Sequence, residues 1–213
     1  MCLALVKKDL KILFAENTGM LLVQFLFILV ICSMNLGIAG YFILTVAAAW
    51  QMLMVVSAKE QSTGALALLL SASYSEFKIV GSRYLSAVIL FVVITVGYSL
   101  LSFVTGQLGL DLFQDPTWDI ILMAFLSYMM FVSITLPLYF FLEDMTVRII
   151  SIALIFGVFF TVYFLVRFTN VAAILSGMEM LNKFKLPGVL LLTAIVMVIS
   201  MAVTTKILKR LEF

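Results

Sequence analysis

Lys59–Tyr84 reads KEQSTGALALLLSASYSEFKIVGSRY, the longest stretch of the chain both polar enough to leave a bilayer and patterned enough to fold. On either side of it the chain runs a membrane width or more without a charge. A chain that is mostly lipid-soluble helix, yet keeps one charged and structured segment between two spans, is expected to use that segment for contact. The expected contact is a partner that supplies energy.

Working outward, the composition sets the class. Of 213 residues 65% are hydrophobic and 11% charged, with a mean hydropathy of +1.26. A soluble domain is closer to half apolar and a quarter charged, so this composition is that of an integral membrane protein. Thirteen basic and eleven acidic residues leave a net charge of +2, too small and too scattered for a nucleic-acid surface. Histidine is absent, which removes the commonest metal ligand and the commonest general base. Cys2 and Cys32 are read as apolar filler, neither a disulfide nor a metal site. The first apolar run is too long for a signal-peptide core and lacks a clear cleavage site.

A spanning helix needs about 20 apolar residues. The runs that qualify are 20–38, 41–57, 85–108, 119–142, 149–166 and 189–205, with a tight turn at Gly37–Gly40 joining the first two. Ahead of them, residues 1–16 read as an amphipathic helix in the interface. Leu3, Val6, Leu10, Leu13 and Phe14 form its stripe, and Lys7, Lys8 and Lys11 reach for headgroups. With both termini cytoplasmic, ten of the thirteen basic residues fall on inner segments, leaving only Arg167, Lys183 and Lys185 outside. The outer segment 167–188 is longer than a connection requires. Val171, Ile174, Leu175, Met178 and Leu181 give it helical spacing, ended by Pro187-Gly188, so it is either a short amphipathic or re-entrant helix or an irregular loop. The expected fold is therefore an all-α integral membrane protein forming one domain over 1–213. It has six transmembrane helices, an N-terminal amphipathic interfacial helix, a cytoplasmic helix within 59–84, and a short extracellular helix before the last span.

No Asp, Glu, Lys, Arg or His lies between the ends of any of these spans. Intramembrane ionisable groups mark proton relays, coupled carriers and voltage sensors, and their absence argues against all three. Without histidine there is no metalloprotease pair and no Ser–His nucleophile. No G-x-x-x-x-G-K-[ST] loop is present, and no inner segment is long enough for a nucleotide domain. The chain is thus not expected to be an enzyme by itself, and any active transport must be driven by a second polypeptide. Gln24, Asn35, Gln51, Tyr98 and Gln107 either line a path or hydrogen-bond neighbouring helices. Ala153, Gly157 and Thr161 form a small-residue ladder suited to close packing within the chain or to a dimer seam. Pro137 should kink the fourth span. The thirteen methionines would suit a pliable apolar surface, and equally serve as filler.

Within the opening stretch, Ser73 followed by Glu76 is a capping box that predicts a helix from Tyr74. On it Phe77, Val80 and Tyr84 share a side, while Glu76, Lys78 and Arg83 offer charge. At these residues the chain resembles the permease subunit of type-2 ABC exporters. Their corresponding segment has the form E-x-x-x-G-[ST]-L-E-x-L-L-x-x-P-[VI]-S-[RK]-x-x-I-[VL]-x-[SGA]-[KR]-[YLF]. Glu60, Gly64, Leu66, Leu68, Leu69, Ser75, Ile79, Val80, Arg83 and Tyr84 fit it; Ala67, Ser73 and Glu76 depart from the usual acid, proline and base. The resemblance implies a homo- or heterodimer of permeases in a bacterial plasma membrane, each bound to a separate ATP-binding cassette ATPase that carries ATP and Mg. The chain itself would hold no cofactor and no metal. The segment Ser73–Tyr84 would be the coupling helix, with Ser73, Tyr74, Ser75, Glu76, Phe77, Lys78, Arg83, Tyr84 and Glu60 at the ATPase contact. Small permeases of this kind resemble the peptide exporters and immunity transporters that move phenol-soluble modulins or lantibiotics. The implied cargo is an amphipathic antimicrobial or toxin peptide, with a lipid or hydrophobic drug as the alternative. A non-transporting scaffold or receptor is the rival from another class, and a passive channel a third reading.

Overall fold

Helix formation follows the apolar runs, and three of the four matching helices are longer than their runs. The structure, a computed structural model, describes residues 2–14, 38–63, 75–109, 113, 115–141, 149, 150, 153, 157 and 186–210. Five helices are laid out along them: α1 (Cys2–Phe14), α2 (Ile38–Thr63), α3 (Glu76–Gln107), α4 (Trp118–Phe141) and α5 (Leu186–Arg210). Among the described residues there is no strand. Four of the helices are long and apolar enough to cross a membrane, over Gly40–Ser57, Glu76–Gln107, Trp118–Phe141 and Leu190–Lys209. They correspond to the expected second, third, fourth and last spans. The expected first span at 20–38 lies outside the described residues except for Ile38, and so does the outer helix at 170–183. Of the fifth span, Ile149, Ile150, Ala153 and Gly157 are described, and all four have helical backbone.

Three boundaries differ from expectation. The turn placed at Gly37–Gly40 does not include Ile38–Gly40, which already belong to α2. The capping box at Ser73 does not start α3; Ser75 is the N-cap, with extended backbone at φ −67° and ψ 138°. Its carbonyl accepts from the amides of Lys78 and Ile79 at 2.8 and 3.3 Å, and Glu76 becomes the first helical residue, where its charge complements the helix dipole. Pro187 and Gly188 sit in the first turn of α5, where a missing N–H breaks no intrahelical bond.

The largest difference is continuity. A short helix standing off the membrane was expected, followed by a separate span; instead α3 runs unbroken for 32 residues. Nothing in Glu76–Gln107 stops it, since the stretch contains no proline and its glycines stand singly. It ends where Gly109 adopts φ +70° and returns its amide to the Gly106 carbonyl at 3.1 Å, the left-handed cap that glycine favours.

In the bundle α4 packs against α5, α2 and α3, while α1 lies against α3 and α2. The α3 stripe Ile79, Val80, Ala87, Leu90, Phe91, Ile94 and Tyr98 is buried at helical spacing. It meets Met52 and Val56 of α2 and Tyr128, Met129 and Leu136 of α4 in one core. Outward-facing side chains are apolar as well: Val92, Val96, Leu100 and Phe103 on α3 and Leu191, Val198 and Ile199 on α5 are each about half exposed or more. A helix apolar on both faces suits a bilayer rather than water. α1 buries Leu5, Val6, Ile12 and Leu13 against protein, with Asp9 in the middle of the same face. Of the expected stripe Val6 and Leu13 are buried and Leu10 is half-buried, with Leu5 and Ile12 joining them; Lys7 and Lys11 are exposed, and Lys8 is partly drawn in.

Candidate functional site

The start of α3 has an outer turn and an inner root. On the outer turn Ser75 and Lys78 are exposed, Glu76 is half-buried, and the Phe77 ring is 60% exposed. The Phe77 ring lies beside Glu76 and Lys78 and also lines a groove against α5. One turn further on, Gly81 faces α5, where an added Cβ would make ordinary contact with Met201 Cε at 3.7 Å.

The inner root begins at Arg83, only 5% exposed. It follows Ile79 by four residues and precedes Ala87 by four, so it points with them into the bundle. Its Nη2 pairs with Glu60 Oε2 of α2, and its Nη1 lies 2.7 Å from Asp9 Oδ1 of α1. That second contact is close enough for Coulomb attraction but misaligned for a hydrogen bond, since neither atom has a hydrogen-bond partner. Lys8 Nζ donates to Glu60 Oε1 at 2.5 Å and lies 3.7 Å from Asp9 Oδ1. Ser86 Oγ completes the group, donating to Asp9 Oδ2 at 3.3 Å. Two cations and two anions cancel, and only such a matched set can be removed from water without a large penalty. Arginine suits the central position because its planar fork reaches two carboxylates at once.

The two acids respond differently. Burial raises the pKa of Asp9, and the nearby charges of Arg83 and Lys8 do not fully offset it, so its carboxyl stays above the ordinary value. Burial would raise Glu60 too, but Arg83 and Lys8, acting by charge and by hydrogen bond, outweigh it and hold it below the ordinary value. Glu60 is thus the principal counter-ion, and Asp9 the strained one.

Tyr84, the next residue, points to the other side of the bundle. Its hydroxyl donates to Ser200 Oγ of α5 at 2.6 Å, and Ser200 Oγ donates to the Ser133 carbonyl of α4 at 2.5 Å. That carbonyl is free because its helical partner four residues on is Pro137, which has no N–H. The proline inside α4 thus creates an acceptor that a neighbouring helix fills. Through Arg83 and Tyr84, one dipeptide binds the root of α3 directly to α1, α2 and α5, and through Ser200 to α4.

The sequence-predicted site residues therefore divide. Glu76, Phe77, Lys78 and Ser75 lie on the accessible turn. Arg83, Tyr84 and Glu60, expected at a partner contact, are turned inward and bonded within the chain; Ser73 and Tyr74 lie outside the described residues. Asp9, Ser86, Ser133 and Ser200 carry no expectation from the sequence, and Lys8, expected at the headgroups, pairs with Glu60 instead. Asp9 had a readable signal, an acid flanked by Leu5, Val6, Ile12 and Leu13 on a buried stripe. Of the polar span residues, Gln51 is buried with neither amide atom bonded, Tyr98 is buried in an aromatic cluster, and Gln107 is exposed. Ala153 and Gly157 are exposed, and a Cβ on Gly157 would meet nothing within 4 Å. Among the described residues no group of three His, Cys, Asp or Glu side chains is arranged to hold a metal.

These features define a multi-pass helical membrane protein whose polar machinery gathers at one end of the bundle. The family model described as ABC-2 family transporter protein matches residues 4–209, and the chain belongs to that family. No curated protein and no solved structure matches it.

Proposed function

We propose that the chain is the permease subunit of an ATP-driven exporter in a bacterial plasma membrane, working as a dimer with separate ATP-binding cassette ATPases that carry ATP and Mg. The observation that carries this reading is the root of α3. A largely exposed turn at Ser75–Lys78 is continuous with a membrane-spanning helix, and the next two turns are bonded directly to α1, α2 and α5 and through Ser200 to α4. A push on Phe77 would travel along a rigid rod and be shared by the bundle, as alternating access requires. The described basic side chains collect at this same end, on α1, the end of α2, the start of α3 and the end of α5, which favours a cytoplasmic placement. The exposed ladder at Ala153 and Gly157 favours packing against a second permease.

The cargo reading is an amphipathic peptide, with a lipid or hydrophobic drug as the alternative; an interior without charges between the span ends supports any of these. The experiment is a gentle detergent pull-down followed by ATPase and transport assays on Phe77→Ala combined with Lys78→Glu. Arg83 is left intact because it is structural. The expected result is normal insertion with loss of ATPase association or of coupled transport. Unchanged association and transport would overturn the coupling role, and a pull-down that brings no ATPase at all would favour a scaffold or receptor.

A further inference from the structure

Between the first turn of α3 and the last turns of α5 lies an open cavity of about 400 Å³, lined by Phe77, Val198, Met201, Ala202, Thr205, Lys206 and Lys209. We propose that this groove is a binding site for an anionic phospholipid, with an acyl chain in the apolar trough and the phosphate between Lys206 and Lys209. This goes beyond the permease reading and does not depend on it.

The order of the lining residues carries the proposal. Val198, Ala202, Thr205 and Lys209 follow one another at helical spacing on α5, so the groove runs along the helix from an apolar floor to a cationic mouth. Thr205 adds no polarity to the floor, since its hydroxyl is returned to the Met201 carbonyl at 2.7 Å. Lys206 and Lys209, three apart, are both exposed and make no ion pair among the described residues. They are unlike Lys8 and Arg83, whose charges are cancelled within the chain. Beyond the floor, α5 continues as exposed apolar surface through Val198, Ile199 and Ile195. The groove is therefore open to hydrocarbon at one end and to an anion at the other. A soluble phosphate would find no use for the apolar trough, and an uncharged lipid none for the two lysines. A cavity of this size holds one small ligand or a stretch of acyl chain.

The test uses the full chain reconstituted into vesicles of equimolar phosphatidylglycerol and phosphatidylcholine. After gentle extraction, the retained lipid is read by native mass spectrometry. Wild type should retain phosphatidylglycerol over phosphatidylcholine. Lys206→Gln and Lys209→Gln should weaken that preference by roughly five-fold each and about thirty-fold together at low salt. The arginine pair should restore it, and Val198→Trp, which fills the trough, should reduce retention of both lipids. Both lysines are exposed, so their replacement leaves the fold intact. A wild type without preference, or a double glutamine variant that keeps it, overturns the proposal. So does a groove that holds no lipid and becomes shielded only when a partner protein binds. Failure of ATPase association would leave the lipid result standing, which separates this test from that of the coupling role.

Discussion

The two ends of α3 are held by different chemistry. Near its start, Arg83 sits among Lys8, Asp9 and Glu60, with every charge buried or partly buried. Fifteen residues on, roughly 22 Å along the helix, the contacts are aromatic. The Tyr41 and Tyr98 ring centroids lie 5.0 Å apart, Tyr98 meets Phe113 edge-on at 5.3 Å, and Ser102 Oγ donates to the Phe113 carbonyl at 3.0 Å. Ring contacts weaken gradually as helices slide, whereas a matched set of buried charges loses most of its value when one member leaves. The ionic end should therefore move as one body with α1 and α2, and the aromatic end should be the one that yields.

Arg83→Leu is the most direct way to break that contrast. It leaves Asp9 and Glu60 buried with only Lys8 between them, and losing one member of a buried set is worth about 3–5 kcal/mol. Denaturant or thermal unfolding in mild detergent should show a loss of that size, and the variant should be transport-dead even where it inserts. A loss below about 1 kcal/mol, the scale of an ordinary interhelical hydrogen bond in a membrane, would mean that the cluster is loosely solvated and that the two ends are alike.

A finer test separates the two acids. Glu60→Gln should cost about 2 kcal/mol, as expected for hydrogen bonds to charged groups, and Asp9→Asn less, because ionised Asp9 is already disfavoured by its burial. The pH dependence carries the opposite signs. Glu60, with its folded pKa lowered, contributes stability that is present above its unfolded pKa and lost as pH falls through the folded value. Asp9, with its folded pKa raised, contributes stability that is present below its unfolded pKa and lost as pH rises through the folded value. Acidifying wild type from about pH 7 to about pH 3 should give a shallow gain and then a fall. Asp9→Asn should abolish the gain, and Glu60→Gln the fall. Unfolding midpoints across that range check it; identical profiles for the two variants would refute the division of roles.

The same contrast explains what could be read from the sequence. Span positions were legible because an apolar run must match a bilayer in length, and four runs reappear within longer or equal helices, α3 starting nine residues earlier than its run. The family segment was legible from Glu60, Arg83 and Tyr84 as letters, but their orientation was not. Arg83 reads with Glu76 and Lys78 as a charge offered to a partner, although its spacing from Ile79 and Ala87 places it on the buried stripe. The burial of Asp9 is readable from its stripe, but the partners of Asp9 and Lys8 are not, because they lie on other helices, 52 residues away in the case of Lys8 and Glu60. The path from Tyr84 through Ser200 to the carbonyl freed by Pro137 depends on the register of three helices, and no local pattern encodes it.

The smallest expected effect lies at the aromatic end. The Tyr41 and Thr95 hydroxyls are 2.7 Å apart, and Tyr41→Phe removes that bond while leaving the ring in its tilted contact with Tyr98. Thr95 can turn its hydroxyl back to a carbonyl of its own helix, as Thr135 does toward Phe131 at 2.7 Å. Little is then left unsatisfied, and the loss should be about 0.6 kcal/mol, the average for interhelical hydrogen bonds in a membrane. Transport should be unchanged, because the ring contact that guides the helices survives. If Tyr41→Phe instead cost more than about 2 kcal/mol, beyond the range of such bonds, this hydroxyl pair would be as indispensable as the buried charges. The end proposed to yield would then be as rigid as the end proposed to push.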